Sequence, residues 1–254
     1  MVEEISVLRD GLRIYGTMQL PDGEGPFGAV VFSHGFGAAR VYDSDMGNEY
    51  VARGIAFASF DFCGGGPASQ SDGSMLDMSV LTEIADLEAV LDAVRAHGKV
   101  DARRVFLIGT SLGGFVSACV AGRHPDQVRA LVLNFPALCV RDDAEAYVRR
   151  FADGKKAPDQ YEFGGLVVGK RYLEDALATD VFAEMAGYGG DVLIVHGSDD
   201  PVVPVEYSLR AAKVYGEAAE LVVLGGMGHG FKQASAKHRR RAMDLALRFV
   251  VGHL

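Results

Sequence analysis

The chain has 254 residues, a formal net charge of −9, 49% hydrophobic and 23% charged residues, and three cysteines. That balance fits a soluble globular protein with one sizeable core, and so acidic a surface excludes nucleic acid as a partner. Cys63, Cys119 and Cys139 form no Cys-x-x-Cys pair, so a disulfide framework is excluded and a reducing, cytoplasmic setting is expected.

No apolar run is long enough to span a bilayer, and the acidic start Met1-Val2-Glu3-Glu4 lacks a signal-peptide core. Residues 2–9 and 12–20 are β-like runs separated by Asp10-Gly11, a strong hairpin signal. Ala29 to Phe32 predicts a fully buried strand that ends at Ser33-His34-Gly35-Phe36-Gly37. A helix is expected from Met46 to Arg53, then a buried strand from Ile55 to Phe60. After a turn-rich loop over 63–73, Val80, Leu81, Ile84, Leu87, Val90, Leu91 and Val94 recur at helical spacing. Val105 to Ile108 predicts the next strand and Val128 to Phe135 another. From 137 to 178 the pattern turns more polar, holds short helical pieces and interrupts the strand–helix alternation. Val192 to Val195 resumes it, a helix follows Pro204, Leu221 to Leu224 is the last strand, and 232–251 predicts a closing amphipathic helix. Strands alternating with helices imply a parallel sheet covered on both faces, with the opening hairpin added at one edge. Ligands of such sheets bind beyond the carboxyl ends of the strands.

Gly109-Thr110-Ser111-Leu112-Gly113 stands between the Val105–Ile108 strand and an apolar-periodic run. In a chain with 32 glycines a Gly-x-Ser-x-Gly match alone is weak. The strand–turn–helix setting is what a nucleophile elbow requires, with Ser111 lifted clear of the backbone beside free helix N–H groups. His229, between the last strand and the last helix, is the candidate general base. The stretch His196-Gly197-Ser198-Asp199-Asp200 offers two aspartates, either of which could orient that imidazole. The oxyanion hole needs two backbone N–H groups, assigned to Leu112 and to Phe36. His34 and His196 are expected to be structural, and His97, His124, His238 and His253 to be surface residues.

The chain order Ser, then Asp, then His is that of the α/β hydrolases. From end to end the chain resembles that superfamily. Within it, the chain is similar to the small bacterial cinnamoyl (feruloyl) esterases, through Ser33 to Gly37, Phe60-Asp61-Phe62, Ser71-Asp72-Gly73, the elbow, Asn134-Phe135-Pro136-Ala137 and the acid and histidine loops. The resemblance implies one α/β-hydrolase domain over 1–254, with a mostly parallel sheet of about eight strands and a lid insertion over 137–178. It selects Asp200 as the acid, through Gly197, Asp200, Val203 and Pro204, and leaves Asp199 as a turn cap. It also places Asp143 and Tyr172 of the lid where the phenolic hydroxyls of a hydroxycinnamate would be bound. Two departures bear on the acyl pocket. Thr110 and Leu112 stand where many such esterases have His and Gln, and the 64–73 loop is longer than usual.

The expected activity is hydrolysis of a small-molecule ester through an acyl-enzyme, with no cofactor and no metal. A short-chain carboxylesterase, a peptidase-like hydrolase and a non-catalytic binding protein of the same fold are the alternatives, and a homodimer stays open. Gly164 to Lys170 imitates a phosphate loop, but Arg171 replaces the magnesium-binding hydroxyl and no strand precedes it. Lys237 to Arg241 is a basic run expected to be a solvated helix face.

Overall fold

A computed structural model describes residues 1–40, 44–151, 158–231 and 234–254. Eight strands form the main sheet: β1 (Val2–Arg9), β2 (Leu12–Gln19), β3 (Phe27–Ser33), β4 (Ile55–Phe60), β5 (Val100–Thr110), β6 (Ala130–Asn134), β9 (Asp191–Gly197) and β10 (Ala219–Leu224). Their order is β1-β2-β4-β3-β5-β6-β9-β10. β1 and β2 pair antiparallel, β2 lies antiparallel to β4, and every later pairing is parallel. The first turn is Asp10-Gly11, both with positive φ (51° and 82°), as a two-residue hairpin of the I′ type needs.

The parallel strands read as continuous apolar runs because both faces are covered. Side chains alternate across the sheet. Val31, Val105, Leu107, Leu131, Leu133, Val192 and Ile194 face the larger core, shared with α2 (Val80–Arg95) and α3 (Leu112–Arg123). Val30, Phe32, Phe106, Ile108, Val132, Leu193 and Val195 face the other side, under α1 (Ser44–Val51) and α8 (Ala236–Gly252). Ser79 caps α2 with a capping box closed by Thr82, which satisfies two orphan N-terminal N–H groups. Residues 232 and 233 of the expected closing helix lie outside the described residues. The elbow strand begins earlier than expected, at Val100, and the strand expected over 128–135 is shorter, Ala130–Asn134.

Between β6 and β9 the chain leaves the sheet. It forms α4 (Val140–Val148), the antiparallel pair β7 (Gln160–Phe163) and β8 (Leu166–Gly169), α5 (Lys170–Ala178) and α6 (Val181–Met185). The sequence suggested only short helical pieces here, and residues 152–157 of the expected insertion lie outside the described residues. The phosphate-loop look-alike is this hairpin, so a strand does precede it, against the expectation, but one that returns as an antiparallel strand: Gly164 and Gly165 are the turn, both with positive φ, and Lys170 opens α5. Several side-chain bonds fasten the segment to the body, among them Arg123 on α3 donating twice to Glu184 on α6. The Ser79 hydroxyl at the start of α2 donates to Asp175 on α5. The Tyr207 hydroxyl, on α7 (Val205–Tyr215), donates to Asp142 on α4 at 2.6 Å. No helix among the described residues is long and apolar enough to cross a membrane.

Candidate active site

Ser111 sits between β5 and α3 with φ 51° and ψ −118°. A positive φ at a non-glycine residue costs about 1–3 kcal/mol and persists only where neighbours over-determine it. Here they do. The Ser111 N–H donates to Asn134 O at 3.0 Å, and its carbonyl accepts from the N–H groups of Gly114, Phe115 and Ala137. A side chain at position 113 would collide with the carbonyl oxygens of Ser33 and His34, so the helix can approach the β3 loop only with glycine there. That approach brings the two loops together: a Cβ built on Gly35 would stand 3.2 Å from the Ser111 Cβ.

His229 lies in the loop after β10, and its Nε2 is 3.0 Å from the Ser111 Oγ. Its Nδ1 is 2.7 Å from the Asp200 Oδ2. A carboxylate can only accept, so Nδ1 carries the hydrogen and Nε2 is left free to accept from the serine. The acid and histidine loops are stitched to each other. Ser198 N–H donates to Leu224 O at 3.0 Å, Asp199 N–H to Met227 O at 3.1 Å, and Gly226 N–H to the Ser198 Oγ at 2.9 Å.

The Asp200 side chain has no exposed surface. Burial pushes its carboxyl up. The bonds from His196 and His229 and from the Val203 and Val202 N–H groups outweigh burial and hold it below the usual carboxylate range. The turn-capping expected of Asp199 is made by Asp200: its Oδ1 accepts from Val202 and Val203 N–H, each at 2.9 Å. Asp199 is exposed, with its Oδ1 taken by the Ser198 hydroxyl. The cause is the position of Pro201 and Val202 in the turn, which aims the 202 and 203 amides back at residue 200 and not at 199.

Phe36 and Leu112 flank Ser111 from the two adjoining loops. Neither N–H is engaged in a hydrogen bond among the described residues. Leu112 is the first residue of α3, where the amide has no intrahelical acceptor. Thr110 is buried, its hydroxyl 3.4 Å from Ser33 O.

The insertion supplies rings. Phe36 meets Phe163 of β7 edge-on at 5.2 Å and Tyr172 of α5 at 5.9 Å, and Phe163 and Tyr172 are 5.3 Å apart. Tyr172 is 2% exposed, and its hydroxyl has no hydrogen-bond partner among the described residues. Burial pushes that phenol well above its ordinary range, with Glu83, Tyr161, Cys139 and Asp143 adding to the effect. Asp143 lies on the exposed side of α4, yet the protein packed around its carboxyl pushes its pKa up, against a bond from the Cys139 thiol. Asp142, its neighbour, is already taken by Tyr207.

Phe135 was not among the residues expected at the site. It has φ 38°, and its ring stands edge-on to the His229 imidazole at 5.1 Å and to Phe231 at 5.1 Å. Nothing in its local sequence announces a positive φ at a phenylalanine. His34 is buried within its loop, as expected, with Nδ1 2.8 Å from Gly35 O and Nε2 accepting from Phe62 N–H. The three cysteines are free and buried. No group of three or more His, Cys, Asp or Glu able to hold a metal ion occurs among the described residues.

Residues 24–157, more than half of the chain, match the family described as serine aminopeptidase, S33. The chain belongs to this family of α/β hydrolases. It is 24% identical to a monoacylglycerol lipase of Mycolicibacterium smegmatis over 96% of this chain and 95% of the lipase. It is 28% identical to a 2-hydroxy-6-oxo-2,4-heptadienoate hydrolase of Pseudomonas putida over 58% of this chain and 62% of that hydrolase. Among solved structures, Est1E from Butyrivibrio proteoclasticus with bound ferulic acid shares the fold, with a TM-score of 0.84 and 22% identity, covering 98% of each chain. The S33 hydrolase thus matches a lipase in sequence and a ferulate-bound protein in fold, each over nearly its full length.

Proposed function

We propose that this hydrolase is a serine carboxylic-ester hydrolase that releases hydroxycinnamic acids through an acyl-enzyme. The observation that carries the reading is the continuous contact from Ser111 Oγ through His229 to Asp200. In this mechanism Ser111 attacks the ester carbonyl while His229 Nε2 takes its proton. Asp200 holds the tautomer and stabilises the imidazolium. The tetrahedral oxyanion is received by the N–H groups of Phe36 and Leu112, aided by the positive end of α3. His229 then protonates the departing alcohol, and a water activated at the same nitrogen releases the acid. No cofactor enters these steps.

The substrate class is argued from the insertion, here assigned the role of a lid. A flat aromatic acyl group needs aromatic walls and partners for its phenolic oxygens, because a buried hydroxyl left unpaired costs about 1–3 kcal/mol. Phe36, Phe163 and Tyr172 are such walls, the Tyr172 hydroxyl is without a partner among the described residues, and Asp143 lies nearby. The fold shared with Est1E supports the same reading. The buried free thiols fit a reducing cytoplasm. A second reading, hydrolysis of aliphatic glycerol esters, is favoured by the lipase relative that spans nearly the whole chain.

The discriminating experiment compares turnover of methyl ferulate, p-nitrophenyl butyrate and a monoacylglycerol. The cinnamoyl reading expects the ferulate to have the highest kcat/KM. Brisk turnover of the butyrate or the glyceride with none of the ferulate rejects it and leaves the general esterase.

A further inference from the structure

We infer that His196 is a positioning residue that locks the Asp200 carboxylate for His229; the inference rests on the serine-esterase reading above. His196 lies near the end of β9 and is fully buried. The preceding residues Val192 to Val195 are all apolar and buried, so an imidazole at this place is costly unless its nitrogens are bonded.

They are bonded, and the partners fix the tautomer. Nδ1 is 2.7 Å from the Ser208 Oγ on α7. Nε2 is 3.0 Å from Val203 O and 3.3 Å from Asp200 Oδ2. Carbonyl and carboxylate oxygens only accept, so the hydrogen is on Nε2 and Nδ1 receives the Ser208 hydroxyl. The single N–H of His196 is shared. Val203 O takes the shorter bond, and Asp200 Oδ2 the longer contact.

This arrangement acts on both oxygens of Asp200. Oδ2 is shared between His229 Nδ1–H and His196 Nε2–H. Oδ1 accepts from Val202 and Val203 N–H, and the Val203 peptide is itself held by His196 through its carbonyl. A carboxylate offers about four acceptor sites, and here each meets a donor. It cannot rotate about its Cβ–Cγ bond without breaking several bonds, so His229 meets one fixed acceptor. Among the described residues, the titratable groups in contact with Asp200 are His196 from β9 and His229 from the β10–α8 loop; Asp199 is turned to solvent.

The test uses the full chain with His196→Phe, His196→Gln and Ser208→Ala, reading kcat, KM and the acid limb of the kcat/KM profile. His196→Phe is expected to lower kcat by about ten- to a hundredfold, as lost supporting bonds behind reactive groups do, with KM within about twofold. Its acid limb moves to higher pH, because Oδ2 is then left to His229 alone and the imidazolium is favoured. His196→Gln, whose amide N–H can reach the same oxygens, recovers most of kcat and brings the limb back. Ser208→Ala removes only one hydroxyl, weakens His196 as a donor, and moves the limb in the same direction by less. If His196→Phe does not fold, Ser208→Ala decides alone. An unmoved limb in the folded Phe and Ala variants, or equal losses in the Phe and Gln variants, overturns the inference. If instead Ser111→Ala keeps full turnover, it is the esterase reading that has failed.

Discussion

At the rim of the sheet, Ser111, Asp200 and His229 are fixed by backbone. Their loops leave buried strands, and main-chain bonds tie Ser111 to Asn134 and the 198–199 turn to the 224–227 turn. The segment between β6 and β9 is held differently. Past Ala137 it is attached through side chains: Ser79 on Asp175, Arg123 on Glu184, Tyr207 on Asp142, and the rings of Phe163 and Tyr172 on Phe36. The contrast teaches where each property resides. Backbone-set loops hold one chemistry in place, whereas a side-chain-set pocket can change its substrate by single substitutions. Phe36 belongs to both regions, since it follows Gly35 in the loop packed against Ser111 and its ring meets the insertion.

The largest effect should come from the rim. Asp200→Asn preserves shape but favours the wrong His229 tautomer, and about a 10³–10⁴-fold loss of kcat is expected with little change in KM. A loss below tenfold would break the claim that the rim carries the chemistry. An intermediate effect is expected from the insertion. Tyr172→Phe should lower kcat/KM for methyl ferulate by about ten- to a hundredfold, the worth of a bond to a buried hydroxyl, and leave p-nitrophenyl butyrate unchanged. Equal losses on both esters would mean that the insertion does not select the acyl group.

The smallest effect concerns stability. Burial, with Asp86 beside it, pushes the Glu83 carboxyl well above its ordinary 4.5. The folded state therefore keeps a proton that the unfolded chain releases, so the stability from protonated Glu83 is full below pH 4.5 and is lost as pH rises. Glu83→Gln should raise Tm by about 3 °C at pH 8, and the gain should vanish near pH 4. Thermal unfolding of both proteins at the two pH values checks it, and a gain that is equal at both would contradict the raised carboxyl.

The same contrast explains what was legible in the sequence. Strand-end loops announce themselves locally, by a buried apolar run followed by glycine, so the strand–helix alternation and the loops that carry Ser111 and His229 could be anticipated. The choice of Asp200 over Asp199 rested on the resemblance, and the strand order was not legible. Nor was the hairpin β7–β8, because strands of four residues carry too little alternation to stand out and are stabilised by tertiary contacts. Phe135 and the link from His196 to Asp200 escaped for another reason. Each depends on residues far apart in the chain, Val195 O under the Phe135 N–H and Ser208 behind His196, and no local pattern encodes them. Asp143 and Tyr172 were placed by resemblance alone. The structure adds that Tyr172 is buried beside Phe36 and that Asp142, unlike Asp143, is occupied by Tyr207.

The central claim is that the Ser111 hydroxyl is the nucleophile. Treatment with an organophosphate such as paraoxon, followed by peptide mass analysis, tests it most directly. The account predicts one phosphoryl adduct, on Ser111, appearing in step with the loss of ester hydrolysis. Turnover that persists with Ser111 unmodified, or inactivation with the adduct on another residue, would contradict it.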